Sequence, residues 1–126
     1  MISKVRNNKA AFTLVEIMIV VAIIGLLAAL AIPGFVKARK QSQGRRIIND
    51  ARQMDAAIDQ WALENGKKDG DTVTTSGAAT YLKTAWNDND LLNNAYTIGT
   101  VGTNQVKISG TTKTALANVG IDWGPY

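Results

Sequence analysis

The sequence has no cysteine and no histidine in 126 residues, and only two prolines. Without cysteine there is no disulfide framework, no thiolate nucleophile and no zinc–thiolate site. Without histidine the usual general base and the commonest metal ligand are missing, which excludes Ser-His-Asp and Cys-His catalysis. Acid is scarce as well: 10 Asp and Glu stand against 14 Lys and Arg, a formal charge of +4. A basic balance of this kind ordinarily points to nucleic acid. Where the charges lie along the chain decides whether it does so here.

The chain is two unlike pieces. Between Phe12 and Phe35, 19 of 24 residues are apolar and Glu16 is the only charge, whereas 34 of the 91 residues from Val36 onward are apolar. Residues 1–11 carry Lys4, Arg6 and Lys9 and no acid. A 24-residue helix is about 36 Å long, enough to cross a hydrocarbon core of roughly 30 Å. The expected organisation is a basic leader over 1–11, a membrane-length helix over 12–35 and a small water-facing domain over 36–126. Topology stays open on charge alone, because Lys37, Arg39, Lys40, Arg45 and Arg46 follow the apolar run and oppose the bias of the leader.

Three fates of such an N-terminus fit the pattern. It is a secretory signal cut after Ala31 in the small-residue triplet Ala29-Leu30-Ala31, an uncut single-pass anchor, or an anchor trimmed on the cytoplasmic side before the apolar run. The long run from Ile17 and the proline just past Ala31 speak against the first.

The stretch from Lys9 to Pro33, with Phe12-Thr13-Leu14-Val15-Glu16 ahead of the apolar run, resembles the class III signal of type IV pilins and type II secretion pseudopilins. The resemblance implies cleavage between Ala11 and Phe12 by a prepilin peptidase and methylation of the new Phe12 amine. It makes Glu16 the fifth residue of the trimmed chain and pairs its carboxylate with the Phe12 amine of a neighbouring subunit. The family usually has glycine before the cut, so Ala11 is expected to slow processing. Physically, a carboxylate near the start of a membrane helix costs up to about 2.5–3.5 kcal/mol when fully central and calls for a partner, unless it snorkels or favours the helix N-terminus. Gly25, Pro33 and Gly34 are weak points of the helix. They read either as a kink at the membrane edge or, by the resemblance, as a segment that extends when the subunit enters a filament.

Past Phe35, Ile47, Ala51, Met54, Ile58 and Trp61 recur at spacings of 4, 3, 4 and 3 and form one apolar stripe. Asn65-Gly66 then supplies a stop, so one nearly continuous helix is expected from Thr13 to about Asn65. Further on the sequence predicts a loop over 67–71 and a short helix over Ala78–Trp86. A second loop is expected over 87–90. A hairpin follows, with strands over 95–101 and 106–108 around a Gly102-Thr103-Asn104 turn. Residues 112–118 read as a helix capped by Thr111 or as a third strand. A bare hairpin is marginal, so it should pack on the long helix, with Trp61, Trp86 and Trp123 in the contact. The fold class expected is α+β: a long N-terminal helix, half for the membrane and half amphipathic, on a small antiparallel hairpin, pilin-like.

Other chemistry is thin. Asp88 and Asp90, alternating with Asn87 and Asn89, are calcium candidates, yet the EF-hand spacing and its final Glu are absent. Asp55 and Asp59 share a helix face without any sign of a cleft and read as solvated. The basic cluster from Lys37 to Arg46 suits anionic headgroups or acidic residues of adjacent subunits. Nucleic acid is not an expected partner, because removing the leader turns 14 against 10 into 11 against 10.

The reading is therefore a non-enzymatic filament subunit without a cofactor. As the resemblance implies, it is made as a single-pass bacterial inner-membrane precursor with a periplasmic C-terminal domain, and polymerises with itself or other pilin-like subunits on an inner-membrane assembly platform. The filament is periplasmic or on the cell surface. A type II secretion pseudopilin is expected from the lack of cysteine and the short C-terminal region. The alternatives are a pilus pilin for adhesion, motility or DNA uptake, and a secreted or singly anchored binding module.

Overall fold

An apolar run and an amphipathic repeat joined in frame, with Pro33 as the one interior breaker, dictate a single long helix. The computed structural model describes residues 12–126; the expected leader, with Ala11, lies outside them. Helix α1 spans Leu14–Glu64 and runs through Gly25 and Pro33, one residue inside each expected end. It closes as Asn65 turns its side-chain amide onto the Trp61 carbonyl at 2.8 Å and Gly66 takes a left-handed φ of 61°. The chain divides into two units, Met1–Lys37 and Ala38–Tyr126, and α1 contributes to both. In the first, α1 contains an 18-residue window of mean hydropathy 2.9, none of it buried, long and apolar enough to cross a membrane.

The second unit has a core built on the expected stripe: Ile47, Ala51, Met54, Ile58 and Trp61 are all buried. Val73, Ala78, Tyr96, Val101, Val106, Ile108 and Leu116 cover it. Fully burying a side chain such as Ile47, Ile58 or Val106 contributes about 1.5–3 kcal/mol. Trp86 and Trp123 pack against this core from its edge, half-buried.

Strands β1 (Thr97–Thr100) and β2 (Thr103–Lys107) form an antiparallel pair in which Ile98 faces Val106 and Thr100 faces Thr103. The connection is therefore the two residues Val101-Gly102, not the expected Gly102-Thr103-Asn104. Gly102 supplies the left-handed φ of 79° such a tight turn needs, and its N–H donates to Gln105 Oε1 at 3.1 Å. The register slips between Ile98 and Thr100, where a Cβ on Gly99 would sit 2.3 Å from the Asn104 carbonyl oxygen. Loop segments cover the hairpin's free edges. Thr72 bridges Thr100, the Tyr96 N–H donates to the Asp88 carbonyl at 2.9 Å, and the Ile108 N–H donates to the Tyr126 carbonyl at 3.2 Å.

Two short helices complete the unit, both displaced from expectation. Helix α2 is Thr75–Ala79, not Ala78–Trp86. The Thr80 hydroxyl donates to the Gly77 carbonyl at 2.8 Å and closes the turn early, so Tyr81, Leu82 and Trp86 reach the core from outside the helix. Helix α3 is Gly110–Ala115, and its cap is Ser109, whose hydroxyl accepts from the Thr111 N–H at 3.2 Å. The capping residue is thus Ser109 rather than Thr111, and the third-strand alternative does not form.

Candidate functional site

Of the residues singled out for processing and assembly, Phe12 and Glu16 stand at the start of α1, while Ala11 lies outside the described residues. Phe12 is exposed. Thr13 and Glu16 close a reciprocal capping box, in which the Glu16 N–H donates to Thr13 Oγ1 at 3.1 Å and the Thr13 N–H donates to Glu16 Oε2 at 3.4 Å. Two of the orphan donors at the helix start are satisfied this way, and the carboxylate is held against the positive end of the helix dipole. Thr13 is the residue sequence reasoning passed over, although a Thr three places before a Glu at the head of an apolar run is its signature. Further along, Gly25 and Gly34 stand in open space, with nothing within 4 Å of an added Cβ. Pro33 cannot donate to the carbonyl one turn back, yet the backbone stays helical around it.

Of the acidic loop, Asp90 turns inward while Asp88 stays exposed. Buried Asp90 accepts from the Leu92 and Asn94 N–H groups through Oδ1, at 2.9 and 3.0 Å, and from the Thr112 hydroxyl through Oδ2. Asp88 Oδ1 accepts from Trp86 Nε1 at 3.1 Å. Among the described residues no group of three or more His, Cys, Asp or Glu is placed to hold a metal ion.

Asp55 and Asp59 do not stand free in solvent. Gln105 Nε2 donates to Asp55 Oδ1 at 2.6 Å and to Asp59 Oδ1 at 2.8 Å, and the Tyr126 hydroxyl donates to Asp55 Oδ2 at 3.2 Å. The pair ties β2 and the C-terminal residues to α1, a structural use rather than an acid–base one. Burial, reinforced by the charges of Asp50 and Asp90, pushes the Tyr96 phenol up to about 12. At the end of α1 the Tyr81 hydroxyl bonds Glu64 and, with a bond from Gln60, holds that carboxyl below its usual range.

The fold and this helix terminus define an α+β, pilin-like chain whose first helix is of membrane-spanning type. Residues 6–32 match the prokaryotic N-terminal methylation motif. The chain is 37% identical over 98 residues to the type IV major fimbrial protein FimA of Dichelobacter nodosus, covering 78% of this chain and 56% of that one. It is also 37% identical over 84 residues to fimbrial protein Q of Moraxella bovis, covering 63% and 54%. With type II secretion system core protein G of Klebsiella michiganensis it shares 31% identity over 62 residues, 49% and 44% of the two chains. The chain thus carries the prepilin-type motif and is homologous to fimbrial proteins and to secretion-system core protein G. It spans about half the length of these curated relatives. No solved structure matches it.

Proposed function

We propose that the chain is the precursor of a structural subunit of a type IV pilus-like filament. The observation that carries this is the methylation motif over 6–32, which runs directly into an apolar helix of membrane-crossing length. In this reading a prepilin peptidase cuts between Ala11 and Phe12 and the Phe12 amine is methylated. The domain from residue 36 onward stands in the periplasm while the helix stays in the inner membrane. Subunits then leave the bilayer on an assembly platform and polymerise through their apolar helices. Glu16 pairs with the amine of a neighbour's Phe12, exchanging its contact with Thr13 for an ionic one, and the stretch from Gly25 to Pro33 extends on entry. The reading includes no cofactor. No catalytic step enters it either, and the relatives are named as fimbrial and secretion-system components.

Within this class we favour a type II secretion pseudopilin, on the lack of cysteine and the short region beyond α1. A fimbrial pilin is the second reading, favoured by the 98-residue alignment with the Dichelobacter protein. Intact mass and N-terminal sequencing of the chain recovered from cells that express a prepilin peptidase test the proposal. The expected N-terminus is methylated Phe12, while a chain beginning at Ile32 or still carrying the leader overturns it. Deleting the gene then separates the two subtypes by the function lost, protein secretion or surface fimbriae.

A further inference from the structure

Leu63, in the last turn of α1, has no task in the fold. It is 79% exposed, against 43% for Leu91, the other large apolar side chain that the second unit leaves in water. One exposed leucine is ordinary by itself. What marks this one is the surface beside it. Within the same unit a mainly apolar groove runs between Gln53, Ala56, Ala57 and Gln60 of α1 and residues 81–84. A helix turns about 100° and rises about 1.5 Å per residue. Leu63 therefore lies about 20° round the axis from Ala56 and about 10.5 Å further along it. Both stand on one helix, so a chain cannot seat its own Leu63 in its own groove.

A second copy can receive it. A copy that runs the same way and is advanced by about 9–10.5 Å brings its Ala57 or Ala56 opposite Leu63. The pairing of Glu16 with a neighbour's Phe12 amine asks for a similar advance. Leu14 to Glu16 rises about 3 Å, and the two residues ahead of the helix add up to about 7 Å. In both contacts the advanced copy supplies the more N-terminal residue, so the direction agrees as well. Charge is complementary too. After Arg52, α1 carries Asp55, Asp59 and Glu64 and no base, whereas Lys83 is the only charged residue bordering the groove. Glu64 follows Leu63 directly, at a helix end whose dipole favours a cation.

We propose that Leu63 of one copy seats in the groove between α1 and residues 81–84 of the next, with Lys83 facing the acids at the end of its neighbour's α1. The inference deepens the filament reading and rests on it. Such a contact is heterologous. Each copy offers a leucine and a groove at different heights, so two parallel copies make the contact once and leave one of each free for the next copy. The contact therefore propagates along a filament and does not close into a pair.

The chain has no cysteine, so introduced thiols report the contact without background. Leu63 and Ala56 are both exposed, and Leu63→Cys/Ala56→Cys leaves the core untouched. The variant is expressed with a prepilin peptidase and an assembly platform, and its filaments are treated with a short bismaleimide. The expected product is a covalent ladder of trimers and longer species, which neither single variant gives. Leu63→Gln should lower filament yield about tenfold or more, with the melting temperature of the unassembled chain in detergent unchanged, and Leu63→Met should keep the yield. Filaments that form but give no ladder overturn the contact and leave the filament reading standing. A product that stops at the dimer shows a reciprocal, antiparallel pairing and overturns it as well, as does a wild-type yield from Leu63→Gln. A chain trimmed to Phe12 that forms no filament overturns the filament reading together with the contact.

Discussion

Asp90 and Tyr96 are both buried, but only the Asp90 side chain finds hydrogen-bond partners. The Asp90 carboxylate accepts three hydrogen bonds, two from its own loop and one from Thr112 on α3. Removing it leaves two backbone N–H groups and a hydroxyl without their acceptor. Asp90→Ala should cost about 3 kcal/mol, read as a lower denaturation midpoint of the full chain in detergent. The Tyr96 hydroxyl is buried with no hydrogen-bond partner, so Tyr96→Phe gives up no bond and should leave stability at neutral pH unchanged or slightly raised. The two differ in alkali. With a folded pKa of about 12 against 10 for the free phenol, the native state keeps the Tyr96 proton that the unfolded chain gives up first. That stabilisation is complete below pH 10 and is lost as pH rises toward about 12. The melting temperature of the wild type should therefore fall increasingly below that of Tyr96→Phe above about pH 10; parallel curves would refute the assignment.

At the scale of elements, close approach decides more than propensity. Gly99 lies at the slip in the β1–β2 register, against the Asn104 carbonyl. Because the obstacle is backbone, Gly99→Ala should cost about 1–3 kcal/mol and broaden the backbone NMR resonances of 97–107, an outcome that a merely exposed strand residue would not produce. The long helix was legible because its signal is periodic. Ile47, Ala51, Met54, Ile58 and Trp61 repeat over four turns, and each is buried as the repeat requires. The capping box of Thr13 and Glu16 went unread although both members lie within one turn. The rest of what escaped depends in part on partners far along the chain. Thr112 lies 22 residues from Asp90, and Gln105 lies 50 from Asp55, so no local pattern reveals that these carboxylates are structural. The short elements moved for a local reason of a different kind. Thr80 and Ser109 use their hydroxyls on the backbone and set helix ends that apolar spacing does not register.

For the molecule as a whole the two units answer to different solvents. The apolar stretch of α1 is unburied within the chain, and from Gly44 the same helix is the floor of a core. Assembly in the proposed reading turns on the one acid in the apolar half. Glu16→Ala keeps the apolar length, so it should insert in the membrane normally, while filament yield in sheared or periplasmic fractions should fall at least about tenfold if one ion pair per contact is lost. Wild-type filament yield from the variant would remove the role given to Glu16. Glu16→Gln, which keeps the capping contact with Thr13 but not the charge, separates helix capping from pairing.

The side chains that cover the α1 stripe, from Val73 through Leu116, all come later in the chain than the stripe itself. A polypeptide that emerges from its N-terminus therefore exposes Ile47, Met54, Ile58 and Trp61 first and shields them last. During that interval two emerging copies present the same bare stripe to each other. In the proposed reading, the delay between translocating Trp61 and translocating Leu116 sets how long a premature pairing of helices competes with correct folding. Slowing export through that window, rather than weakening any native contact, is then the most direct way to make this protein misassemble.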